Sequence, residues 1–272
     1  MDRRLTPANA RAALESLRGQ VDAPRFTTGE AASVIRPLVD LRVEPGGPRD
    51  RQLLLGDGFL VIDRHEGHAF GQSVKDGHCG YLPEAALGPA TTPTHWLAAP
   101  ASHLYPAPDI RAPQFGALTL GARLTVLAEG PRFSQTTAGY VPTRHLRPLG
   151  QWHADPVAIA QVFLGTPYLW GGNSRAGLDC SGLVQASLLA CGTPCPSDSD
   201  LQQALGAPLA DKAVLKRGDL LFWKGHVAMA MNADFMIHAT SAFMAVVVEN
   251  TKAAIARIAA GGDGPVIARR RP

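Results

Sequence analysis

Apolar and polar positions alternate in two different textures along this chain, and the change falls near residue 150. Before it, short apolar runs follow glycines, as in Gly58-Phe-Leu-Val-Ile-Asp63 and Gly121-Ala-Arg-Leu-Thr-Val-Leu127. Runs of this length between Gly/Pro turns predict strands. The pattern is duplicated. Gly80-Tyr-Leu-Pro-Glu-Ala-Ala-Leu87 and Gly139-Tyr-Val-Pro-Thr-Arg-His-Leu146 share G-Y-x-P-x-x-x-L, and a proline-bearing turn stands upstream of each, Leu41–Pro45 and Leu104–Pro108. Two repeats of short strands predict two small β-barrels, over 33–90 and 91–150; one larger β domain with a chance echo is the alternative. Residues 1–32 read as an extension, with a helix starting at Thr6-Pro7 and carrying Leu14 and Leu17 on one face.

The second texture, 151–272, predicts helices first and then an antiparallel sheet. Asp155 before Pro156 caps a helix over Pro156–Leu164. Leu183, Val184 and Leu188 form a helical stripe after a Gly-rich turn. Leu220–Trp223, Val227–Met231, Phe235–Ala239 and Val246–Glu249 read as strands, with a turn at Asn232–Asp234. That order makes an α+β domain.

Composition narrows the function. The chain has 272 residues, 46% of them hydrophobic, and no apolar run approaches the roughly 20 residues a bilayer demands. No membrane association is expected. A net charge of +3 is too mild for a nucleic-acid face. The one basic run, Arg269-Arg270-Arg271, is expected to be a solvated tail. The amino terminus has no hydrophobic segment of the export type, which makes the cytoplasm the expected compartment. There the four cysteines, Cys79, Cys180, Cys191 and Cys195, are expected to be free thiols. Cys191 and Cys195 lack a second pair with zinc spacing, so no metal and no cofactor is expected.

Gly165 to Gln185 carries the chemistry. Cys180 sits between Asp179 and Ser181, where the Gly-rich turn gives way to the apolar helix. A thiol at a helix start faces unpaired N–H groups and the positive dipole end, which favour the thiolate. Asp179 opposes ionisation, so a cationic partner is needed, and histidine is the natural one. His226 and His238 flank the Asn232–Asp234 turn, so a hairpin makes them cross-strand neighbours. One imidazole then meets Cys180 while the other orients the first, and the reaction such a site supports is acyl transfer. A buried structural thiol, or a His/Cys metal set, are the competing readings of the same residues.

These residues resemble the NlpC-type family of papain-like cysteine peptidases of bacterial cell-wall peptides. The resemblance covers about residues 155 to 260: the T-P-Y-L-W-G-G turn, the D-C-S-G-L-V-Q block, P-x-D-S-D-L-Q at Pro196–Gln202, L-K-R-G-D-L-L-F-W at Leu215–Trp223, and both histidines in order. It implies Cys180 as nucleophile, His226 as base and His238 as orienting residue. The duplicated β units are similar to the bacterial SH3-like domains that precede this domain in members cleaving the γ-D-glutamyl–diamino acid bond of stem peptides with a free N-terminal L-alanine. That likeness implies substrate contacts at Tyr168, Asp179, Ser181, Asp198 and Ser199, a cleft wall at Tyr81, and Asp50 as a carboxylate for the free amine. The chain departs from the family pattern at Ser197, where arginine is frequent, and at His68, where tryptophan is common. The fold expected is α+β, a papain-like peptidase domain behind two SH3-like barrels. The expected partner is a small peptide from peptidoglycan, handled by a monomer during wall recycling. An amidase or acyltransferase on the same fold, or a non-catalytic wall-binding module, are the alternatives.

Overall fold

The computed structural model describes residues 1–272, which divide into two compact units, Met1–Gln151 and Trp152–Pro272. In the first unit seven antiparallel strands form one sheet, in the order Arg49–Leu54, Leu38–Arg42, Cys79–Pro83, His68–Ser73, Gly58–His65, Glu30–Val34 and Leu87–Pro89. The ladder ends at the first and last of these strands. Their inward residues, among them Leu41, Leu53, Phe59, Val61 and Leu82, make one buried core. A second core, Leu97, Leu104, Leu118, Leu124 and Val141 with Leu55 from the first half, is surrounded by three small sheets over residues 95–148. Gly56 (φ +78°) lets the two halves close up, because a Cβ there would collide with the Arg123 carbonyl.

The duplicated motif folds the same way twice. Cys79–Pro83 runs into a 3-10 turn at Glu84–Ala86 and out as the strand Leu87–Pro89; Gly139–Pro142 runs into Thr143–His145 and out as Leu146–Pro148. The cause is local. Proline fixes φ near −58° and −54° at the two junctions, which pre-sets the turn, and the leucine after each turn returns to extended backbone.

Residues 1–32 are not helical, contrary to the sequence expectation. Up to Gly29 they form an extended arm with a two-residue strand, Ala13–Leu14, beside Phe26–Thr27, and a single 3-10 turn at Glu15–Leu17, and from Glu30 they enter the seven-stranded sheet. Docking decides this. Ala12 packs against Ile62, Phe70 and Cys79, the Asn9 side chain accepts the Arg11 and Ala12 N–H groups, and Arg11 and Arg25 both reach the buried Asp63. Tertiary contacts of this kind override a weak local propensity.

In the second unit α1 (Pro156–Val162) begins at Asp155, whose carboxylate accepts the Val157 N–H at 3.0 Å, and stops two residues short of the predicted end. Then come α2 (Cys180–Ala190) and the one-turn α3 (Ser199–Gln202). A six-stranded sheet follows, in the order Ala207–Pro208, Ala268–Arg271, Leu220–Trp223, His226–Ala230, Phe235–Thr240, Ala245–Asn250. Helix α4 (Thr251–Ala260) leaves the last of these strands through an Asn250 cap and buries Ala254 and Ile258 against Trp223, Ala228 and Met236. Arg269–Arg271 is not a solvated tail; it lies inside this sheet. Asp219, 1% exposed, requires a cation, and Arg271 forks onto it with two bonds of 2.7 Å. No helix is long and apolar enough to cross a membrane.

Candidate active site

The Gly-rich turn is tied to α2 by one carboxylate. Asp179 caps α2: one oxygen accepts the Gly182 N–H at 2.6 Å and the Ser181 hydroxyl at 3.1 Å, and the other accepts the Gly171 N–H at 2.9 Å. Gly171 takes φ +68°, and a Cβ on Gly172 would meet the carbonyls of Gly177 and Leu169, so the turn needs both glycines. Cys180 is the first residue of α2 and 7% exposed. Its Sγ lies 3.9 Å from the carbonyl oxygen of Gly225. Gly225 (φ +74°) sits in the two-residue turn between Leu220–Trp223 and His226–Ala230, where Trp223 pairs with His226. The tight turn therefore delivers His226, the very next residue, to the start of α2.

Strand register explains how the histidines meet. Met229 pairs with Ile237 and Ala230 with Met236, so His226 stands two residues beyond the position facing His238. They are diagonal rather than directly opposed neighbours. Imidazoles are long enough to bridge a diagonal: the ring centroids are 5.1 Å apart and His226 Nε2 lies 2.9 Å from His238 Nδ1. His238, 1% exposed, is followed by a residue the sequence pattern did not single out. Its Nε2 lies 2.7 Å from Glu249 Oε2, and Arg257 grips both oxygens of Glu249, at 3.1 Å through Nε and 2.6 Å through Nη2. Glu249 is two residues past Val247, the cross-strand partner of His238, on the same face of the sheet. An acid at that offset in a β-run is the signal that would have found it. Arg257 depends on α4, which the pattern did not predict.

Burial pushes His226 down to about 3; His238 and Arg257 act in the same direction and Glu249 against it. Burial also lowers His238, opposed by its bond to Glu249. Burial alone would raise Glu249, but the Arg257 fork and the His238 bond hold it below the usual carboxylate range. Burial thus favours the neutral form of both imidazoles, and the chain of bonds ends on an anion–cation pair. A neutral imidazole is a proton acceptor, which is what a thiol nucleophile requires. By contrast burial pushes Cys79 up to about 12 and Cys191 up to about 11. The two histidines bond to each other and to Glu249 rather than converging on one point, and no group of three or more metal-binding side chains stands together.

The remaining predicted residues divide between the units. Ser199 begins α3 and Asp198 precedes it, with the Ser197 hydroxyl 3.5 Å from the Asp198 carboxylate. Gln202 fastens this turn to the start of α2, donating to the carbonyls of Ser181 at 3.0 Å and Pro196 at 2.9 Å. Tyr168 is half-buried on the Gly-rich segment, its N–H bonded to the Met244 carbonyl. Tyr81 and Asp50 belong to the first unit. The Tyr81 ring leans on Phe70, with centroids 4.9 Å apart. Asp50 is bonded to Arg3 at 2.7 Å and His78 at 2.9 Å, and these partners hold it well below the usual carboxylate range despite its burial.

Comparison with known proteins follows this division. Residues 165–257 match the NlpC/P60 family, and residues 41–87 match the bacterial dipeptidyl-peptidase Sh3 domain. Over 112 residues the chain is 32% identical to dipeptidyl-peptidase 6 of Lysinibacillus sphaericus, covering 38% of this chain and 41% of that protein. Over 96 residues it is 38% identical to a γ-D-glutamyl-L-lysine dipeptidyl-peptidase of Bacillus cereus, covering 32% and 28%. The matched stretch thus spans less than half the length of these curated relatives. The crystal structure of an NlpC/P60 family protein from Bacillus cereus superposes with a TM-score of 0.74 at 21% identity, over 89% of this chain and 99% of that one, and shares the fold. The second unit has the papain-like NlpC/P60 fold, with an NlpC/P60 domain over residues 165–257, and the first unit carries an SH3-like domain of the bacterial dipeptidyl-peptidase type over residues 41–87.

Proposed function

We propose that the protein is a cysteine peptidase that hydrolyses the γ-D-glutamyl–diamino acid bond of short peptidoglycan stem peptides with a free N-terminal L-alanine. One observation carries the reading: Cys180 opens α2 beside the turn that delivers His226, with His238 bonded behind it. The thiol gives its proton to His226, the sulfur attacks the γ-carbonyl, and the protonated imidazole passes its proton to the departing amine. Water then resolves the thioester. The Cys180 amide at the amino end of α2, with the helix dipole behind it, is the proposed donor to the oxyanion, the Gly182 amide being taken by the Asp179 cap. Asp179 and Ser181 shape the floor beneath the sulfur, while Tyr168, Asp198 and Ser199 contact the peptide. Tyr81 and Asp50 are further proposed substrate contacts, Asp50 as a carboxylate suited to an ammonium, for which Arg3 is a competitor. The repeated strand–turn–strand of the two G-Y-x-P motifs supports two SH3-like modules in the first unit, at 33–90 and 91–150. The names of the similar Bacillus proteins support the bond assignment. The role is recycling of released wall peptides by a cytoplasmic monomer that needs no cofactor.

The test is mass spectrometry of L-Ala-γ-D-Glu-meso-diaminopimelate incubated with wild type and with Cys180→Ala. Release of L-Ala-γ-D-Glu by the wild type alone is expected, and N-acetylating the alanine should abolish it. Equal cleavage by both proteins would overturn the mechanism. Transfer of the acyl group to an added amine in preference to water would reassign the enzyme as a transferase.

A further inference from the structure

The geometry points to Glu249, clamped by Arg257, as a positioning residue that fixes the tautomer of both histidines and holds the charge formed when Cys180 ionises. This rests on the reading of Cys180 as the nucleophile.

Hydrogen-bond valence carries the inference. The Glu249 carboxylate only accepts, so His238 Nε2, 2.7 Å away, bears its proton. A neutral His238 then presents Nδ1 as a lone pair, and the hydrogen in the 2.9 Å contact belongs to His226 Nε2. That leaves His226 Nδ1 unprotonated, the one nitrogen able to take the thiol proton. Without an acceptor at Glu249 either tautomer of His238 is allowed, and half of the arrangements point a proton at the nitrogen that must receive one. The second effect is electrostatic. When the Cys180 proton crosses to His226, the imidazolium stands one ring away from a carboxylate that is 14% exposed. The charged groups acting on the pair from neighbouring elements are Glu249 on the last strand and Arg257 on α4. Arg257 prevents Glu249 from swinging to solvent, and its own guanidinium is anchored at its other face by the Phe243 ring, 5.3 Å from the centroid. Asn250 caps α4 directly after Glu249, so the strand end and the helix are held as one piece.

The thiolate–imidazolium pair can be read without any peptide substrate, through the rate at which iodoacetamide alkylates Cys180 across pH. In the wild type the rate should already be high near pH 6, because the proton leaves to His226 rather than to water. Glu249→Gln keeps size and an acceptor oxygen but removes the charge. Its rate near pH 6 should fall about tenfold, equivalent to about 1.4 kcal/mol of lost pair stabilisation, and should rejoin the wild type near pH 10, where any thiol is ionised. Glu249→Ala should fall further, and Glu249→Asp should recover part of the loss. A purely structural residue would lower the melting temperature without creating this pH-dependent gap. If the wild type ionises only near the ordinary thiol value of about 8.5, the nucleophile reading itself fails. If the wild type is reactive near pH 6 and folded Glu249→Gln matches it there, the role of Glu249 fails alone.

Discussion

The two units each contain a buried histidine bonded to a carboxylate that an arginine also holds. In the first, His78 Nε2 lies 2.9 Å from Asp50 and Arg3 lies 2.7 Å from the same oxygen. In the second, His238 Nε2 lies 2.7 Å from Glu249 and Arg257 lies 2.6 Å from the same oxygen. Even a cysteine is nearby in both, because Cys79 follows His78 in the chain. One cluster is a clamp for the N-terminal arm and the other leads toward Cys180. The difference lies in where the thiol stands. Cys79 opens a strand, where successive side chains point to opposite faces, so its sulfur turns away from the His78 ring and into the core that pushes it up to about 12. Cys180 opens a helix, and a hairpin turn sets a second histidine between it and His238. Residue types do not make a site; the element that presents them does.

The sharpest way to break the comparison is to exchange its thiols. Cys180→Ala should lower peptide turnover by at least about 10⁴-fold, whereas Cys79→Ala should leave turnover within about twofold while lowering the melting temperature, since it empties a packed site. Removing the histidines comes next. His238→Ala should reduce alkylation of Cys180 near pH 6 by roughly 10²-fold, and His78→Ala should leave that rate unchanged and lower only stability, both read by stopped-time labelling and thermal melts. A smaller effect separates the clusters by pH. The folded value of His226 is depressed, so its contribution to stability is complete above about 6.5 and drains away as pH falls toward about 3. Asp50 is also depressed, from the carboxylate range, so its contribution is complete above about 4 and is lost only below that. Urea midpoints measured across pH should therefore flatten between about 6.5 and 3 in His226→Gln, and only below about 4 in Asp50→Asn. The smallest change is Arg3→Ala. Its half-exposed ion pair should be worth less than about 1 kcal/mol and fade with added salt.

What could be read from the chain follows the same division. The turn into α2 was legible because Asp179, Cys180 and the glycines act within a few residues of one another. His226 and His238 were legible as a pair because their spacing about the Asn232–Asp234 turn fixes a hairpin. Glu249 was not, since its place opposite His238 depends on a diagonal offset in a register the pattern does not specify. The duplicated G-Y-x-P motif gave a repeated local shape, because proline sets the backbone wherever it stands. The N-terminal arm misled: Thr6-Pro7 is a fair helix start, yet Ala12 and the Asp63 salt bridges reward an extended chain. Arg269–Arg271 misled for a related reason. A terminal basic run reads as solvated until the buried Asp219 that needs it is known.

The central claim is that one of four free thiols is made reactive by the histidines beside it, and site-resolved labelling tests it most directly. Wild-type protein is treated with limiting iodoacetamide near pH 6, digested, and the modified fraction of Cys79, Cys180, Cys191 and Cys195 is measured by mass spectrometry. Cys180, buried though it is, should be labelled first and far ahead of the more exposed Cys191, and the lead should vanish in His226→Ala. Labelling that follows exposure, with Cys191 ahead of Cys180, would contradict the account.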